Sequence, residues 1–380
     1  MISTTESLSR LGIRQLSYIG AYACFAVIVM ASILLHRKHG EFITFGTYWA
    51  SGRAAINDLN PYAAYPETLR SDYSRFGGPK SLPDLNLNPP CILPYIQVLS
   101  HLSIERFTIV WMLTTALFFS AGVALLIRNL PEIQGRQVFW LLLSVPAIGT
   151  LMNGQIYGLL FLLSTLAWLF NLRRKDTASA IAIALLVAIR PAMVLWPVML
   201  YLAGHRRLAL RSFGAIPIIY AVPLLIYGPS IYREWLSAVA QEQHWVDPKN
   251  IALIPLFSRF GFRLVGIFAS VVTGALLAWW AHKKKPDFTS ASGIGICAGI
   301  LCPPLGWFDY TLFLAPLFVT RPWRLLPTIA AGLLMLPVPL SVRARGIPYF
   351  VAILIISNHL MLVGRPRLWA GYRPALQDRG

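Results

Sequence analysis

A single arginine between two apolar runs is the residue of this sequence best suited to bind an anion. Arg190 ends the run at 177–190 and precedes Pro191, after which a second run covers 192–204. An arginine within a membrane span costs at least ~2.5–3.5 kcal/mol on insertion scales, so it usually faces water or a partner. Its planar guanidinium binds phosphate oxygens in pairs. Arg190 is therefore a candidate phosphate ligand at a helix end; the alternative is an interfacial arginine that only extends its charge to the membrane surface.

Carboxylates that could accept a proton occur in two settings. Asp309 lies in "WFDY" between two apolar runs, where a carboxylate is costly unless it is used or paired. The alternative for Asp309 is an ion pair with an arginine of the same side, such as Arg190, Arg343 or Arg345. Glu41 and Asp58 lie in a long polar loop and are candidate bases, although simple solvation explains them equally well.

Several polar turns interrupt the apolar sequence. The stretch "NLNPPCILPY" (86–95) places three prolines before an apolar segment, and "NDLNPYAAYPETL" (57–69) and "MNGQIY" (152–157) are similar turns. Irregular backbone at membrane depth survives only if it is buried in protein or lines a wet cavity. These turns therefore either only connect helices or form the wall of a cavity. Gln155 could accordingly bind sugar hydroxyls or cap a helix end.

The segment "GEFITFGTYWASGRA" (40–54) carries aromatic residues at helical spacing, among them Phe45, Tyr48 and Trp49. This spacing predicts a short amphipathic helix in the headgroup layer of a membrane. Its aromatic side chains either anchor the helix in the membrane interface or belong to a binding site, and the sequence leaves both possibilities open.

The composition is that of a membrane protein. Of 380 residues, 56% are hydrophobic and only 13% are charged, and the mean hydropathy is +0.60. A soluble domain normally has about a quarter of charged residues. The net charge of +18 is spread over short clusters between apolar runs, as in cytoplasmic loops, which argues against nucleic-acid binding. The cysteines, Cys24, Cys91, Cys297 and Cys302, have no paired spacing, so the sequence indicates neither a disulfide framework nor a zinc site. No other metal-binding cluster stands out, and no cofactor is predicted.

We predict an all-α polytopic bundle of about twelve transmembrane helices in a single integral membrane domain, 1–380. Both termini are expected in the cytoplasm, because strong basic clusters then fall on the inner side. The outer side receives a first loop at 37–106, with interfacial and re-entrant segments, and a second large loop at 229–262. The inner loops contain no phosphate-binding G-x-x-x-x-G-K motif, so any chemistry is expected at the outer, periplasmic face. The predicted spans are 17–36, 107–127, 137–151, 156–171, 177–190, 192–204, 209–228, 264–281, 291–305, 311–320, 324–340 and 348–364.

The order of these polar elements resembles glycosyltransferase family 87, membrane transferases of the GT-C superfamily that use polyprenol-phosphate sugars. The resemblance is carried by six elements over most of the chain: "TFGTYWASGR" (44–53), "NPY" (60–62), "NPP" (88–90), "NGQIYGLL" (153–160), "IRP" (189–191) and "PPLGWFDY" (303–310). The lysine of the family's K-P element is Arg190 here, so the positive charge is kept. An asparagine-containing element of the later outer loop is faintly matched by "DPKNIALIPLFSRFG" (247–261).

One position departs from the family pattern. The acidic residue that opens the first element is replaced here by Thr44, which cannot act as a base. Glu41 lies three residues earlier, about one helical turn away and on the same helical face. The candidate catalytic bases are therefore Glu41, Asp309 and Asp58.

The resemblance implies a GT-C-like fold and transfer of a hexose (mannose-like) or pentose from a polyprenyl-phosphate donor to an acceptor hydroxyl. The acceptor is a glycan, lipid or protein, and the location is the outer face of the bacterial inner membrane with its anionic lipids. Two alternatives remain: a transporter or flippase of a lipid-linked sugar, and a catalytically silent family member. The residues expected to bind the donor phosphate are Arg190, Arg259 and Arg343, and those expected to line the sugar pocket are Thr44, Tyr48, Trp49, Tyr62, Asn88, Gln155, Trp307 and Tyr310.

Overall fold

The computed structural model describes residues 4–39, 43–63, 85–130, 132–241 and 246–362 of the chain. Within these ranges the protein is built of α-helices joined by turns and short 3₁₀ segments. The helices are α1 Thr4–His39, α2 Ile43–Ile56, α3 Leu93–Leu99, α4 Ile104–Asn129, α5 Gly135–Leu143, α6 Val145–Met152, α7 Tyr157–Leu172, α8 Asp176–Ile189, α9 Leu195–Leu202, α10 Arg206–Tyr227, α11 Ser230–Ala240, α12 Leu253–Ser258, α13 Arg263–Lys284, α14 Phe288–Leu301, α15 Thr311–Val319, α16 Leu325–Leu333, α17 Val338–Arg343 and α18 Ile347–Leu362.

Long apolar helices confirm a helical membrane protein. Among the described residues, five stretches are long and apolar enough to cross a bilayer, and seven further apolar stretches have 10–17 residues. The five are Gln15–Leu35, Ile104–Asn129, Gly135–Met152, Arg206–Tyr227 and Arg263–Lys284. A straight span needs ~20 residues, so the shorter stretches reach across only if they are tilted, paired or re-entrant. The count of about twelve spans, the orientation and the two large outer loops remain predictions.

The centre of the bundle is the fully buried helix α14, which packs against α9, α15 and α18. Two glycines one helical turn apart, Gly295 and Gly299, let it approach its neighbour closely. A Cβ at Gly295 would lie 2.6 Å from Trp196 Cα, and one at Gly299 would lie 2.9 Å from Met193 Sδ. Small residues at this spacing are typical of tight helix contacts in membranes, where lipid supplies no hydrophobic driving force between helices.

Among the elements that the structure describes in full, three are 3₁₀ turns, and each adjoins or contains a polar residue singled out from the sequence. They are Pro90–Ile92, Pro191–Val194 and Phe308–Tyr310. Proline cannot donate the helical hydrogen bond and disfavours helix in the residue before it. The prolines therefore leave Asn88 and Arg190 on non-helical backbone, while Asp309 lies within the third turn.

Helix α2 is confirmed as a helix, but its aromatic residues do not face a membrane. Phe45, Tyr48 and Trp49 are almost completely buried within the protein. The interpretation of these three residues as an interfacial anchor is therefore wrong, because α3 and α4 pack against α2 and the three side chains have no access to lipid headgroups. Phe45, Tyr48 and Trp49 belong to the hydrophobic core of the bundle, and the Tyr48 hydroxyl also reaches Gln155.

Candidate active site

Arg190 ends α8 with its backbone outside the helical region, at φ −133° and ψ 85°. Pro191 directly after it starts a 3₁₀ turn, so the helix cannot continue and the side chain lies at the helix end. The side chain is only 8% exposed. In the described part of the chain no carboxylate is within ion-pair distance of its guanidinium, and its Nε has no hydrogen-bond partner. A buried charge without a counter-ion is strongly unfavourable, so this site favours an anion.

Asn88 fixes one edge of the guanidinium. Arg190 Nη1 donates a hydrogen bond of 2.7 Å to Asn88 Oδ1. Asn88 is held in turn by Asn86, whose Oδ1 accepts from the backbone N–H of Asn88 at 3.0 Å and from its Nδ2 at 2.8 Å. Tyr62 completes the arrangement by donating from its hydroxyl to the Asn88 carbonyl at 3.1 Å. The proline-rich stretch 86–95 therefore forms a buried wall around a cation.

Two tyrosine rings enclose the other faces of Arg190. Its Cζ lies 5.0 Å from the centre of the Tyr157 ring and 5.7 Å from that of the Tyr310 ring. The two rings meet edge to face, with centroids 5.5 Å apart. The Tyr48 hydroxyl lies beside both Arg190 and Asn88. Cation–π contacts stabilise a desolvated guanidinium without neutralising its charge, so the cation stays available to a ligand.

The turn that precedes α7 connects this cluster to α2. Tyr48 donates from its hydroxyl to Gln155 Oε1 at 3.1 Å, and Trp111 Nε1 donates to the Gly154 carbonyl at 2.8 Å. Gly154 has φ +67°, where side chains are disfavoured, and a Cβ there would overlap the Phe45 ring. Glycine at this position thus lets the "NGQ" turn pack directly on α2 and present Gln155.

Asp309 is a buried carboxylate in the turn before α15. It is 7% exposed, and its Oδ1 has no hydrogen-bond partner among the described residues. A Cβ on Gly149 would lie 3.2 Å from that oxygen. The expected ion pair with Arg190, Arg343 or Arg345 is not formed in the described part of the chain, and the nearest cation in electrostatic terms is Lys249. Asp309 directly precedes Tyr310 in one 3₁₀ turn, and the Tyr310 ring lies 5.7 Å from Arg190 Cζ, so the carboxylate lies in the same region of the bundle as the cation.

A short loop holds the Asp309 segment in place. Asn250 and Trp307 form an antiparallel bridge, and the backbone N–H of Phe308 donates to the Lys249 carbonyl at 2.9 Å. The buried Asn250 side chain donates to the Pro304 carbonyl at 2.9 Å and accepts from the Gly306 N–H at 2.9 Å. This asparagine is the polar centre of the element at 247–261.

Arg259 clamps the same loop and is not free to bind a phosphate. Its Nε and Nη2 donate to the carbonyls of Val246 and Asp247 at 3.2 and 2.8 Å. Further hydrogen bonds go to the carbonyls of Asn250 and Arg345. Partial burial lowers the pKa of the Arg259 guanidinium to about 10, against the opposing effect of the Asp247 carboxylate. Arg259 is still protonated at neutral pH, but its donors are occupied by backbone.

The remaining predicted site residues lie apart from this cluster or outside the described residues. Trp49 Nε1 donates to the Leu102 carbonyl at 2.9 Å, so its polar end faces backbone. Asp58 is exposed at a left-handed position, φ 53°, just after α2, and Arg343 is exposed at the end of α17. Thr44 lies within α2 but its side chain is outside the described part, and Glu41 lies outside the described residues altogether.

Sequence reasoning missed four residues of the arrangement: Tyr157, Asn86, Lys249 and Asn250. Tyr157 and Asn86 lie in motifs that the sequence analysis had recognised. Each is two residues from a predicted site residue, Gln155 and Asn88 respectively, and this proximity in the chain was the available signal. Lys249 and Asn250 sit in a loop whose pairing with 304–308 has no local signal, because the two segments are more than fifty residues apart.

The arrangement is that of a helical membrane protein with a buried cation and a buried carboxylate at the ends of its apolar helices. A sequence model of glycosyltransferase family 87 matches residues 86–304, more than half of the chain. The chain therefore belongs to glycosyltransferase family 87, as its motifs predicted. No curated protein and no solved structure matched it. The match includes Asn88, Gln155 and Arg190 and ends just before Trp307 and Asp309.

Proposed function

We propose that this protein transfers a hexose or pentose from a polyprenyl-phosphate donor to an acceptor hydroxyl at the outer face of the bacterial inner membrane. Family membership implies a glycosyltransferase. The donor type rests on one observation: the buried Arg190 guanidinium has an unpartnered Nε and no carboxylate at ion-pair distance among the described residues. The planar guanidinium matches the geometry of phosphate oxygens, and phosphate is the anion that a lipid-linked sugar donor carries.

Arg190 binds the phosphate that leaves with the lipid carrier. During transfer the bond between the sugar C1 and the phosphate oxygen breaks, and the negative charge on the phosphate grows. A cation already oriented by Asn88, Tyr157 and Tyr310 stabilises that charge without having to reorganise. Gln155 and Tyr48 lie at the same cluster and supply hydrogen bonds to sugar hydroxyls.

Asp309 is the base that the geometry favours. The acceptor hydroxyl gives its proton to the carboxylate while its oxygen forms the new bond to C1. The Asp309 Oδ1 has an open hydrogen-bonding position and no ion pair among the described residues, so it is available for that proton. Glu41 and Asp58 are the other candidates, and Asp58 is the weaker of these because it is exposed.

The proposed site for the isoprenoid tail is an open cleft of about 570 Å³ between α10 and α11. Its walls are hydrogen-bonded to the backbone next to the site: Tyr220 donates to the Ala188 carbonyl at 3.1 Å, and Trp235 donates to the Leu87 carbonyl at 3.0 Å. Leu87 and Ala188 are the near neighbours of Asn88 and Arg190. A tail in this cleft would thus have its phosphate end beside the cation. The cleft is lined by Ile216, Pro217, Tyr220, Ala221, Leu224, Tyr232 and Trp235.

A transporter of lipid-linked sugars, or a silent family member, would use the same phosphate site without breaking the donor bond. The test uses purified protein in lipid discs, a panel of polyprenyl-phosphate sugars and an acceptor extract. Release of free polyprenyl phosphate that requires both sugar donor and acceptor is the result expected of a transferase. Tight donor binding without any release would overturn the proposal in favour of transport or presentation.

A further inference from the structure

A second cleft, distinct from the candidate active site, opens at the ends of α16 and α18. It has a volume of about 400 Å³, and its walls are almost entirely apolar. Two arginines lie at its edge, Arg343 at the end of α17 and Arg345 in the turn between α17 and α18. Its lining includes the apolar Phe260, Leu333, Ile347 and Val351 and the cationic Arg343 and Arg345.

The two arginines have no acidic partner among the residues that the structure describes. Neither Arg343 nor Arg345 forms an ion pair in the described part of the chain, and both are exposed. The Arg345 guanidinium lies 4.7 Å from the centre of the Phe260 ring, which is itself a wall of the cleft. This cation–π contact orients one positive charge directly over the apolar surface. The cleft therefore combines two cations with an apolar surface.

The turn that carries these arginines is braced. Arg259 donates to the Arg345 carbonyl, and the Gly346 N–H donates to the Ser341 carbonyl at 2.8 Å. Gly346 packs against the Pro248 carbonyl so closely that a Cβ would collide with it. The arginines thus project from a fixed turn, and an ordered rim loses less conformational entropy when it binds a ligand.

The apolar wall faces the surroundings of the bundle. Ile347 is 44% exposed and Val351 is 37% exposed, and both lie in the first turns of the apolar helix α18. Acyl chains cover such surfaces in a bilayer, and arginines at the end of an apolar helix lie at headgroup depth. Basic side chains at this depth attract anionic lipids.

From this combination we infer that the cleft is a binding site for an anionic phospholipid of the surrounding bilayer. The phosphodiester contacts Arg343 and Arg345, and the upper part of one acyl chain lies against Leu333, Ile347 and Val351. Two cations above an apolar wall, with no counter-ion among the described residues, fit a negatively charged amphiphile better than a neutral one or a free anion. The inference does not depend on the proposed transfer reaction.

The test uses the full-length protein in lipid discs that contain a trace of phosphatidylglycerol with a photoreactive diazirine near its acyl carbonyl. After irradiation, mass spectrometry measures the label on the peptides of α18 and the end of α16. This readout is specific to the cleft, since basic clusters elsewhere also attract anionic lipid. We expect labelling several-fold stronger than with the matching phosphatidylcholine probe, and a fall to the phosphatidylcholine level in Arg343→Gln and Arg345→Gln.

Arg106→Gln, which removes an exposed arginine at the start of α4, is the matched control and should keep the wild-type labelling. Arg343→Gln alone suffices for the test if Arg345→Gln disturbs the turn, because Arg343 is exposed and its side chain makes no structural contact among the described hydrogen bonds. Equal labelling by the two lipids, or full labelling of Arg343→Gln, would overturn the inference. Loss of label on adding millimolar inorganic phosphate at constant ionic strength would also overturn it, since that marks a plain anion site.

Discussion

Arg190 donates a 2.7 Å hydrogen bond to Asn88, a residue 102 positions earlier in the chain, and both side chains are buried. An amide oxygen orients the guanidinium and leaves its charge intact, whereas a carboxylate in the same place would neutralise it. The choice of asparagine is thus what keeps Arg190 available to an anionic ligand.

Asn88→Asp tests that role directly. A carboxylate beside Arg190 competes with the donor phosphate, so kcat/KM for the donor should fall by about tenfold or more, equivalent to ~1.4 kcal/mol. The backbone hydrogen bond from residue 88 to Asn86 remains, so the protein should still fold. The effect is measured from the rate of polyprenyl phosphate release at a series of donor concentrations.

Asn129→Asp provides the matched control. Arg173 Nη2 donates to Asn129 Oδ1 at 3.1 Å, so the same charge change is made beside an arginine at the far end of α4. Its kinetics should equal those of the wild type. Equal kinetics for Asn88→Asp as well would mean that the Arg190 charge is not used by the donor.

The catalytic base is tested by removing one carboxylate at a time. Asp309→Asn should lower acceptor-dependent release of polyprenyl phosphate by ~10²-fold or more, within the contribution typical of a general base. Glu41→Gln and Asp58→Asn measure the two other candidates, and Glu105→Gln, an exposed residue of α4, controls for loss of charge. A near-normal rate for Asp309→Asn together with an inactive Glu41→Gln would identify Glu41, and not Asp309, as the catalytic base.

Arg259 is expected to matter for stability and not for donor binding. Arg259→Gln removes donors from four backbone carbonyls of a partly exposed loop, and a hydrogen bond within a protein contributes ~0.5–1.5 kcal/mol net. Thermal unfolding in detergent should therefore shift down by several degrees, while Arg343→Gln should not shift it. An unchanged unfolding temperature for Arg259→Gln would show that the clamp does not hold the loop.

Gly154→Ala tests the turn that presents Gln155. The left-handed backbone at φ +67° and the overlap with Phe45 should together destabilise the protein by ~1–3 kcal/mol. Gly214→Ala is the control, because that glycine is helical and nothing lies within 4 Å of an added Cβ. Chemical unfolding monitored by fluorescence compares the two, and equal stability would contradict the packing of α2 on this turn.

The sequence predicted the helices closely because apolar runs and prolines are local signals. Predicted spans such as 156–171 and 209–228 differ from Tyr157–Leu172 and Arg206–Tyr227 by three residues at most. Other predicted spans differ more: 17–36 covers only part of Thr4–His39, 137–151 is divided into α5 and α6 at Ser144, and 324–340 is divided into α16 and α17 around Pro337. Pro337 is a local signal for a helix boundary, but the sequence is apolar on both sides of it, so the segment was predicted as one continuous span.

The site was predictable only in part. Arg190, Asn88, Gln155 and Tyr310 were named from motifs, and the structure brings them together. Arg259 could not be assigned correctly, since a charged side chain in a loop gives no indication that backbone carbonyls occupy its donors. The partners of Asp309 were equally hidden, because the approach of Lys249 depends on a loop pairing between distant segments.

The most direct test of the account is the affinity of the purified protein for polyprenyl phosphate compared with that for the uncharged polyprenol of equal length. The wild type should bind the phosphate at least about tenfold more tightly, and Arg190→Ala should bind both lipids equally, with Arg206→Ala as an exposed control. Undiminished preference for the phosphate in a folded Arg190→Ala variant would contradict the assignment of Arg190 as the donor-phosphate ligand.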